Sequence, residues 1–153
     1  MLRISKMTDY GVMVMVHMAR SPSELFNAAQ IAAQTGVSVA TAGKLLKELA
    51  KQALLVSYRG ARGGYRLARG PESISVLEII DAIEGPLGLT ECSTDEGACH
   101  QEPVCPLRGN WSLINQAVRD SLTDITLEQM ARPMDEPAPA VPLIDYRMRF
   151  GSS

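Results

Sequence analysis

The most constraining feature of this sequence is a glycine-rich, arginine-bearing turn between two short apolar runs. Residues 54–59 and 65–68 have the composition of β-strands, and segment 60–64 between them reads Gly-Ala-Arg-Gly-Gly. This spacing predicts an antiparallel hairpin. Its glycines permit positive φ angles and a close approach to a sugar-phosphate backbone, so that Arg59 and Arg62 can reach phosphates or a minor groove. An ordinary flexible hairpin would explain the glycines but not the clustered arginines.

Three predicted helices precede this hairpin. Residues 6–20 predict a first helix that is apolar on most sides. Asn27 is a candidate N-cap for a second helix that ends at Gly36, and Ser38 is a candidate N-cap for a third helix that runs to about Gln52. Two helices joined by a tight turn and followed by a basic hairpin are typical of a winged helix-turn-helix. In the third helix, one apolar face is expected from Val39, Ala42, Leu46 and Leu49.

The charges are distributed unevenly along the chain, although the net charge is only −2. Residues 1–70 contain ten Lys and Arg against three acidic residues, whereas residues 71–153 contain five Arg against fourteen. A basic half beside an acidic half is expected when one half faces a polyanion. We therefore expect double-stranded DNA as a partner. The candidate DNA contacts are polar or basic residues of the third helix and the hairpin: Ser38, Thr41, Lys44, Arg59 and Arg62.

The only three cysteines of the chain, Cys92, Cys99 and Cys105, lie in one polar, turn-rich stretch. Their spacing, Cys-x6-Cys-x5-Cys, is looser than the paired spacing of zinc ribbons and common ferredoxins. Thiolates bind zinc, copper and iron-sulfur clusters, so the spacing leaves the metal open, with redox thiols or spare cysteines as alternatives. A thiol oxidoreductase would favour a CxxC pair, which is absent, and we expect no enzymatic activity.

The residues after the hairpin predict two further helices. Ser75 and Glu78 have the spacing of a capping box, and Gly85-Pro86 ends the helix that they begin. After the cysteines, apolar residues recur at helical intervals: Leu107, Trp111, Ile114, Val118, Leu122 and Ile125. This stripe predicts an interchain seam and hence a homodimer, the alternative being packing on its own subunit.

These patterns predict a mainly α fold with a small β-hairpin wing and a long dimerisation helix. The expected units are a winged helix-turn-helix domain at 1–84, a cysteine-bearing loop at 85–106, a dimerisation helix region at 107–131 and a Pro-rich, disordered tail at 132–153. The sequence has no apolar run long enough to cross a bilayer and no signal-peptide core, so we expect a cytoplasmic protein without a membrane partner.

Three segments carry a resemblance to a known family. They are residues 2–10 (Leu-Arg-Ile-Ser-Lys-Met-Thr-Asp-Tyr), 29–32 (Ala-Gln-Ile-Ala) and 54–67, the predicted hairpin. With the three-cysteine loop, they resemble the bacterial winged-helix regulators of the IscR and NsrR type, from the start to about residue 130. The first segment is most similar to regulators of the SUF cluster-assembly operon. The resemblance implies a dimeric, DNA-binding repressor that is controlled by an iron-sulfur cluster and regulates cluster-assembly genes.

The resemblance also implies the ligands of a [2Fe-2S] or [4Fe-4S] cluster, because the family's ligand positions match Cys92, Cys99 and Cys105. The IscR pattern has a His three residues after the last cysteine, where this chain has Arg108. The NsrR pattern takes a carboxylate from the first helix of the partner chain, which makes Asp9 the first candidate for the fourth ligand and His100 the second.

Two departures from the family pattern bear on function. Gly43 stands where the IscR type carries an acidic side chain that reads bases, so the operator preference is not transferred to this chain. Because the fourth ligand differs from the IscR pattern, a nitric-oxide sensor of the same family is one alternative. Another is a winged-helix repressor with redox-sensing thiols or with no cluster.

Overall fold

The computed structural model describes residues 4–90 and 106–133. These form helices and one two-stranded hairpin in the following order: α1 (Lys6–Ala19), α2 (Ala28–Thr35), α3 (Val39–Lys51), β1 (Leu55–Tyr58), β2 (Gly64–Leu67), a 3-10 turn (Pro71–Ser73), α4 (Val76–Glu84), α5 (Arg108–Asp124) and α6 (Leu127–Ala131). The predicted mainly α fold with a hairpin wing is confirmed. The three cysteines, His100 and the tail from residue 134 onwards lie outside the described residues.

Side-chain caps set where the helices begin. The Asn27 side chain accepts a hydrogen bond from the backbone N–H of Gln30, and the Gln30 side chain accepts one from the backbone N–H of Asn27, each at 2.9 Å. Ser75 and Glu78 form the same reciprocal arrangement at the start of α4. These boxes satisfy backbone donors that the helix itself leaves unpaired. At the end of α2, Gly36 adopts a left-handed conformation with φ of 76°.

The hydrophobic core lies between the first four helices and the wing. Its fully buried side chains include Val14, Met15, Ile31, Leu46, Leu49 and Ile79. The chain then returns to this core after α5, because Leu127 of α6 is also fully buried. The Leu127 N–H donates to the carbonyl of Ile74 at 2.8 Å, and the Val76 N–H donates to the carbonyl of Ile125 at 2.9 Å. The boundary at residue 84 stays a prediction, and α6 contributes to the same core as the winged part.

The wing is an antiparallel hairpin that is anchored to the segment between α1 and α2. Leu55 pairs with Leu67 at its base. Phe26 adds an isolated bridge to the hairpin: its N–H donates to the Tyr65 carbonyl at 2.9 Å, and the Tyr65 N–H donates back at 2.8 Å. A Cβ on Gly64 would lie 2.8 Å from the Phe26 carbonyl oxygen, so close backbone packing requires glycine there.

The sequence predicts that the glycines at the hairpin tip adopt positive φ angles, and this prediction is only partly met. Gly60 has a φ of 118° and fits that explanation, whereas Gly63 and Gly64 do not adopt positive φ. At Gly63, a Cβ would overlap the carbonyl oxygen of Tyr58. These two glycines are needed because other backbone segments lie against them.

No helix within residues 4–90 and 106–133 combines the length and the apolar character needed to span a bilayer.

Candidate functional site

Helix α3 is amphipathic and carries its basic residues outwards. Leu45, Leu46 and Leu49 are buried against the other helices. The exposed residues include the predicted DNA contact Lys44 and two further lysines, Lys47 and Lys51. An exposed basic face on the second helix of a helix-turn-helix is what a recognition helix requires for DNA binding.

The hydroxyl groups at the start of α3 hydrogen-bond to each other. Ser38 Oγ accepts from the backbone N–H of Thr41 at 3.2 Å and donates to Thr41 Oγ1 at 2.8 Å. Ser38 is therefore the N-cap of α3, as expected. The roles of Ser38 and Thr41 in DNA contact stay predictions.

One expectation for α3 is wrong. The helical periodicity predicts that Val39 lies on the buried face, but its side chain is 55% exposed. The physical reason is its position in the first turn, where the covering elements do not reach it, whereas Ala42 one turn later is fully buried. Ala40 is also exposed, so the helix presents two apolar side chains beside Ser38.

The two predicted arginines of the wing are free of internal partners within the described chain. Arg59 and Arg62 are both exposed and make no hydrogen bond or ion pair there. Arg66 differs, because its guanidinium carbon lies 5.1 Å from the ring centroid of Tyr58 and it donates to the Tyr58 hydroxyl. Arg66 thus stiffens the hairpin, while Arg59 and Arg62 are available to phosphates.

The segment that leads into the cysteine stretch is attached to two helices. The Asp81 carboxylate of α4 accepts from the Leu87 N–H at 2.8 Å. Arg119 of α5 donates to Asp81 Oδ2 at 3.0 Å and to the Leu87 carbonyl at 3.3 Å. Asn115, a buried residue of α5, accepts from the Leu89 N–H at 3.1 Å. We call Asp81, Leu87 and Arg119 the loop junction, because α4, α5 and the segment that leads into the predicted loop meet there.

A second contact joins the start of α1 to the end of α4. The buried Thr8 hydroxyl donates to the Glu84 carboxylate, and the Ser5 N–H donates to the same oxygen at 3.2 Å. The hydrogen bonds from Thr8 and Ser5 hold the pKa of Glu84 below its ordinary value of 4.5. Glu84 directly precedes the predicted loop, so this contact fixes α1 relative to the point where the loop begins.

Asp9, the candidate fourth ligand, follows Thr8 in the first turn of α1. Its side chain is exposed and has no hydrogen-bond or ion-pair partner within the described residues. An exposed carboxylate at this position can be reached by another subunit. Its role as a ligand stays a prediction.

The donor set suits an iron-sulfur cluster by its chemistry. Among residues 4–90 and 106–133, no group of three or more His, Cys, Asp or Glu lies close enough to hold a metal ion. The soft donors are Cys92, Cys99 and Cys105, which lie outside that part of the chain. Three thiolates with a histidine or carboxylate as the fourth donor are compatible with a cluster.

The first half of α5 has an uncovered apolar stripe. Leu107 just before the helix is 51% exposed, Ile114 is 47% exposed and Trp111 is 38% exposed. Further along the predicted stripe, Val118 and Leu122 are half-buried. The predicted seam is thus available to a second chain, and dimerisation itself stays a prediction.

Comparison with known proteins identifies the family. The Rrf2 model, described as an iron-dependent transcriptional regulator, matches residues 4–133. The transcriptional regulator NsrR of Bacillus licheniformis is 30% identical over 136 residues, which cover 88% of this chain and 95% of that protein. The family and this relative are described as transcriptional regulators and not as enzymes, which agrees with the expectation that this chain has no enzymatic activity.

Solved structures show the same similarity. CymR (YrzC), the global cysteine regulator of B. subtilis, is 31% identical with a TM-score of 0.67, over 86% of this chain and 97% of CymR. T. potens IscR is 30% identical with a TM-score of 0.64, over 84% of this chain and 85% of IscR. The resemblance seen in the N-terminal segment, the wing and the cysteines is confirmed at the level of the family. The chain belongs to the Rrf2 family of transcriptional regulators.

Proposed function

We propose that this protein is a homodimeric, DNA-binding repressor whose operator affinity is controlled by an iron-sulfur cluster, and that it regulates genes of cluster assembly. The description of its family as iron-dependent and its similarity to IscR support the cluster. The resemblance of residues 2–10 to SUF regulators, stated above from the sequence, is the reason for proposing these genes. The exposed basic face of α3 and the two exposed arginines of the wing support the DNA contact.

Three thiolates, Cys92, Cys99 and Cys105, would hold the cluster, with Asp9 of the partner subunit as the fourth donor and His100 as the alternative. The cluster, [2Fe-2S] or [4Fe-4S], would itself be the group that is sensitive to redox state and to competing ligands. A carboxylate is a harder and weaker donor to iron than a thiolate or an imidazole, so Asp9 would make the site labile. Lability is useful in a sensor.

The loop junction is the observation that carries the control mechanism. Asp81 lies on α4, which packs against both α1 and α3, and Arg119 lies on α5. Leu87 accepts from Arg119 and donates to Asp81, so a change in the path of the loop would change how α4 and α5 are held together. Through α4, that change would reach the recognition helix. Typical coupling free energies between two sites are about 1 to 3 kcal/mol.

On DNA, α3 would enter the major groove and the wing would lie along the adjacent backbone. Lys44, Arg59 and Arg62 would contact phosphates or base edges, with Ser38 and Thr41 at the start of the helix. Two subunits paired through α5 would place two recognition helices on two half-sites.

The test combines spectroscopy with DNA binding on the same sample. Protein purified without oxygen should show visible absorbance, and removal of the cluster should change the affinity for an operator duplex. Serine variants of the three cysteines should lose the visible absorbance, and their operator affinity should no longer change when the protein is treated to remove the cluster. A colourless protein after reconstitution with iron and sulfide, with unaltered operator affinity, would refute cluster control.

The fourth ligand needs its own comparison. Asp9→Ala and His100→Ala are measured for cluster lifetime in air, with Asp124→Ala, an exposed acid at the end of α5, as the matched control. A shortened lifetime in Asp9→Ala alone supports the carboxylate. Mixed dimers, with Asp9→Ala in one subunit and a cysteine variant in the other, then test whether the carboxylate comes from the partner subunit. If it does, the three cysteines of the first subunit and Asp9 of the second form one intact site. If Asp9 acts within its own subunit, neither site is intact.

A second candidate is a repressor that senses redox state directly through its thiols. The similarity to CymR, for which an oxidized form from Staphylococcus aureus has a solved structure, favours it. In this case, iron-free protein should bind the operator differently with reduced and with oxidised cysteines, and reconstitution should have no further effect. The same binding assay with iron-free protein therefore separates the two candidates.

A further inference from the structure

The first turn of α3 presents an apolar side chain where a recognition helix reads bases. Val39 is 55% exposed, although Ala42, Leu45 and Leu46 of the same helix are buried. Valine is also a poorer helix former than alanine or leucine. Neither core packing nor helix propensity therefore favours a valine at this position.

The neighbouring polar groups have partners within the helix start. The Ser38 hydroxyl accepts from the Thr41 N–H and donates to the Thr41 hydroxyl. Lys44 is more than one turn away from Val39. The largest exposed apolar group of the first turn is the isopropyl group of Val39, and the methyl group of Ala40 lies beside it.

The surface next to Val39 is open and positively charged. Gly43 lies one turn along the same side of the helix, and a Cβ there would meet only the Cβ of Ala28, at 3.8 Å. No side chain at position 43 therefore separates Val39 from an approaching duplex. Lys44 and Lys47 are exposed on the following turns, so the patch is complementary to DNA rather than to an apolar protein surface.

We propose that Val39 determines specificity by contacting the 5-methyl group of a thymine in the major groove of each half-site. That methyl group is the apolar feature that distinguishes thymine in this groove, and recognition helices contact base edges through their N-terminal residues. The inference rests on the DNA-binding role proposed above and is independent of the cluster.

The experiment uses the full-length protein and synthetic duplexes. Bound sites are first enriched from a random-sequence duplex library. Each thymine of the recovered site is then replaced singly by deoxyuridine, which lacks only the methyl group, and the dissociation constant is measured at constant salt. We expect one thymine in each half-site at which the replacement weakens binding about fourfold, the amount expected for one buried methyl group.

Variants of the protein assign that effect to one side chain. Val39→Ala should bind the thymine and deoxyuridine duplexes equally, whereas Val39→Thr, which keeps one methyl group, should retain part of the difference. Val56→Ala is the matched control, because Val56 is an exposed valine of β1 and the wing does not enter the major groove in this arrangement. It should keep the full fourfold difference.

Each outcome bears on a different claim. A site without a common thymine, a site indifferent to deoxyuridine, or a difference that persists in Val39→Ala would overturn the role of Val39 while leaving DNA binding intact. Failure to enrich any duplex would overturn the DNA-binding proposal itself and the inference with it.

Discussion

Arg119 and Asp81 form an ion pair between α5 and α4, with Nη2 and Oδ2 3.0 Å apart and side chains that are 28% and 27% exposed. The same guanidinium donates to the carbonyl of Leu87, in the segment that leads into the cysteine stretch. Arg119 thus links α5, which carries the apolar stripe, to α4 of the winged part and to the segment around Leu87. Hydrogen bonds that involve charged groups are stronger than neutral ones, and this pair is partly shielded from water.

Replacement of Arg119 should uncouple the loop from DNA binding. We expect Arg119→Gln to lower the free energy of unfolding by about 1 to 2 kcal/mol, because Asp81 loses its charged partner while staying partly solvated. The difference in operator affinity between cluster-containing and cluster-free protein should shrink. Arg132→Gln, an exposed arginine beyond α6, is the control and should change neither quantity. An unchanged cluster response in Arg119→Gln would contradict the role of the loop junction.

Glu84 should make the contact between α1 and α4 sensitive to acid. Its carboxyl has a pKa below 4.5 in the folded protein, chiefly because of the Thr8 hydrogen bond. Since the folded pKa is the lower one, the stabilising effect is complete above the ordinary value of 4.5 and is lost as the pH falls through the folded pKa. Thr8→Val should raise the pKa of Glu84 towards 4.5, as measured by carboxyl NMR titration.

The matched control for Thr8→Val is Thr123→Val, whose hydroxyl donates to the Arg119 carbonyl and not to a carboxylate. It should leave the pKa of Glu84 where it is in the unmodified protein. If both threonine variants shifted it equally, the assignment of the cause to Thr8 would be wrong.

Two glycines should respond to alanine in opposite directions. Gly64→Ala would place a Cβ 2.8 Å from the Phe26 carbonyl oxygen, and we expect a loss of about 1 to 3 kcal/mol in the free energy of unfolding. At Gly43, the nearest atom outside the surrounding α3 backbone is the Cβ of Ala28, 3.8 Å away, so Gly43→Ala should raise that free energy by up to about 1 kcal/mol. Denaturant unfolding measures both. A stabilising Gly64→Ala would argue against the packed bridge between Phe26 and Tyr65.

The apolar stripe of α5 should be required for the dimer. Ile114→Asp puts a charge in the middle of that stripe and should convert the protein to a monomer, because a charge cannot be buried there without a partner. Sedimentation analysis measures the mass, and the folded state is checked by circular dichroism. Leu25→Asp adds the same charge at another exposed apolar residue, which lies before α2, and should leave the dimer intact. If Ile114→Asp were still dimeric, the seam would have to lie elsewhere.

Features that depend on nearby residues could be predicted from the sequence. Asn27, Ser38 and Ser75 act as N-caps, as expected, because a cap is determined by residues within one helical turn. The pairing of Phe26 with Tyr65 could not be predicted, because nothing in the composition of residues 24–27 distinguishes a bridge from a loop.

In the candidate site as well, some features could be predicted from the sequence and others could not. Arg59 and Arg62 are exposed and unpaired in the described part of the chain, as a phosphate-binding role requires. The pairing of Asp81 with Arg119 could not be predicted from the sequence, because several acidic residues could have faced that arginine. The error at Val39 arose because helical periodicity locates a face but does not tell where the covering elements end.

The burial of Leu127 has a consequence for how the chain matures. Its side chain and its hydrogen bond to Ile74 complete a core whose other members all precede residue 83. Because synthesis proceeds from the N-terminus, the ribosome has already released the cysteine stretch when the last piece of that core emerges. The three cysteines thus leave the ribosome before the residue that completes the core of the winged part.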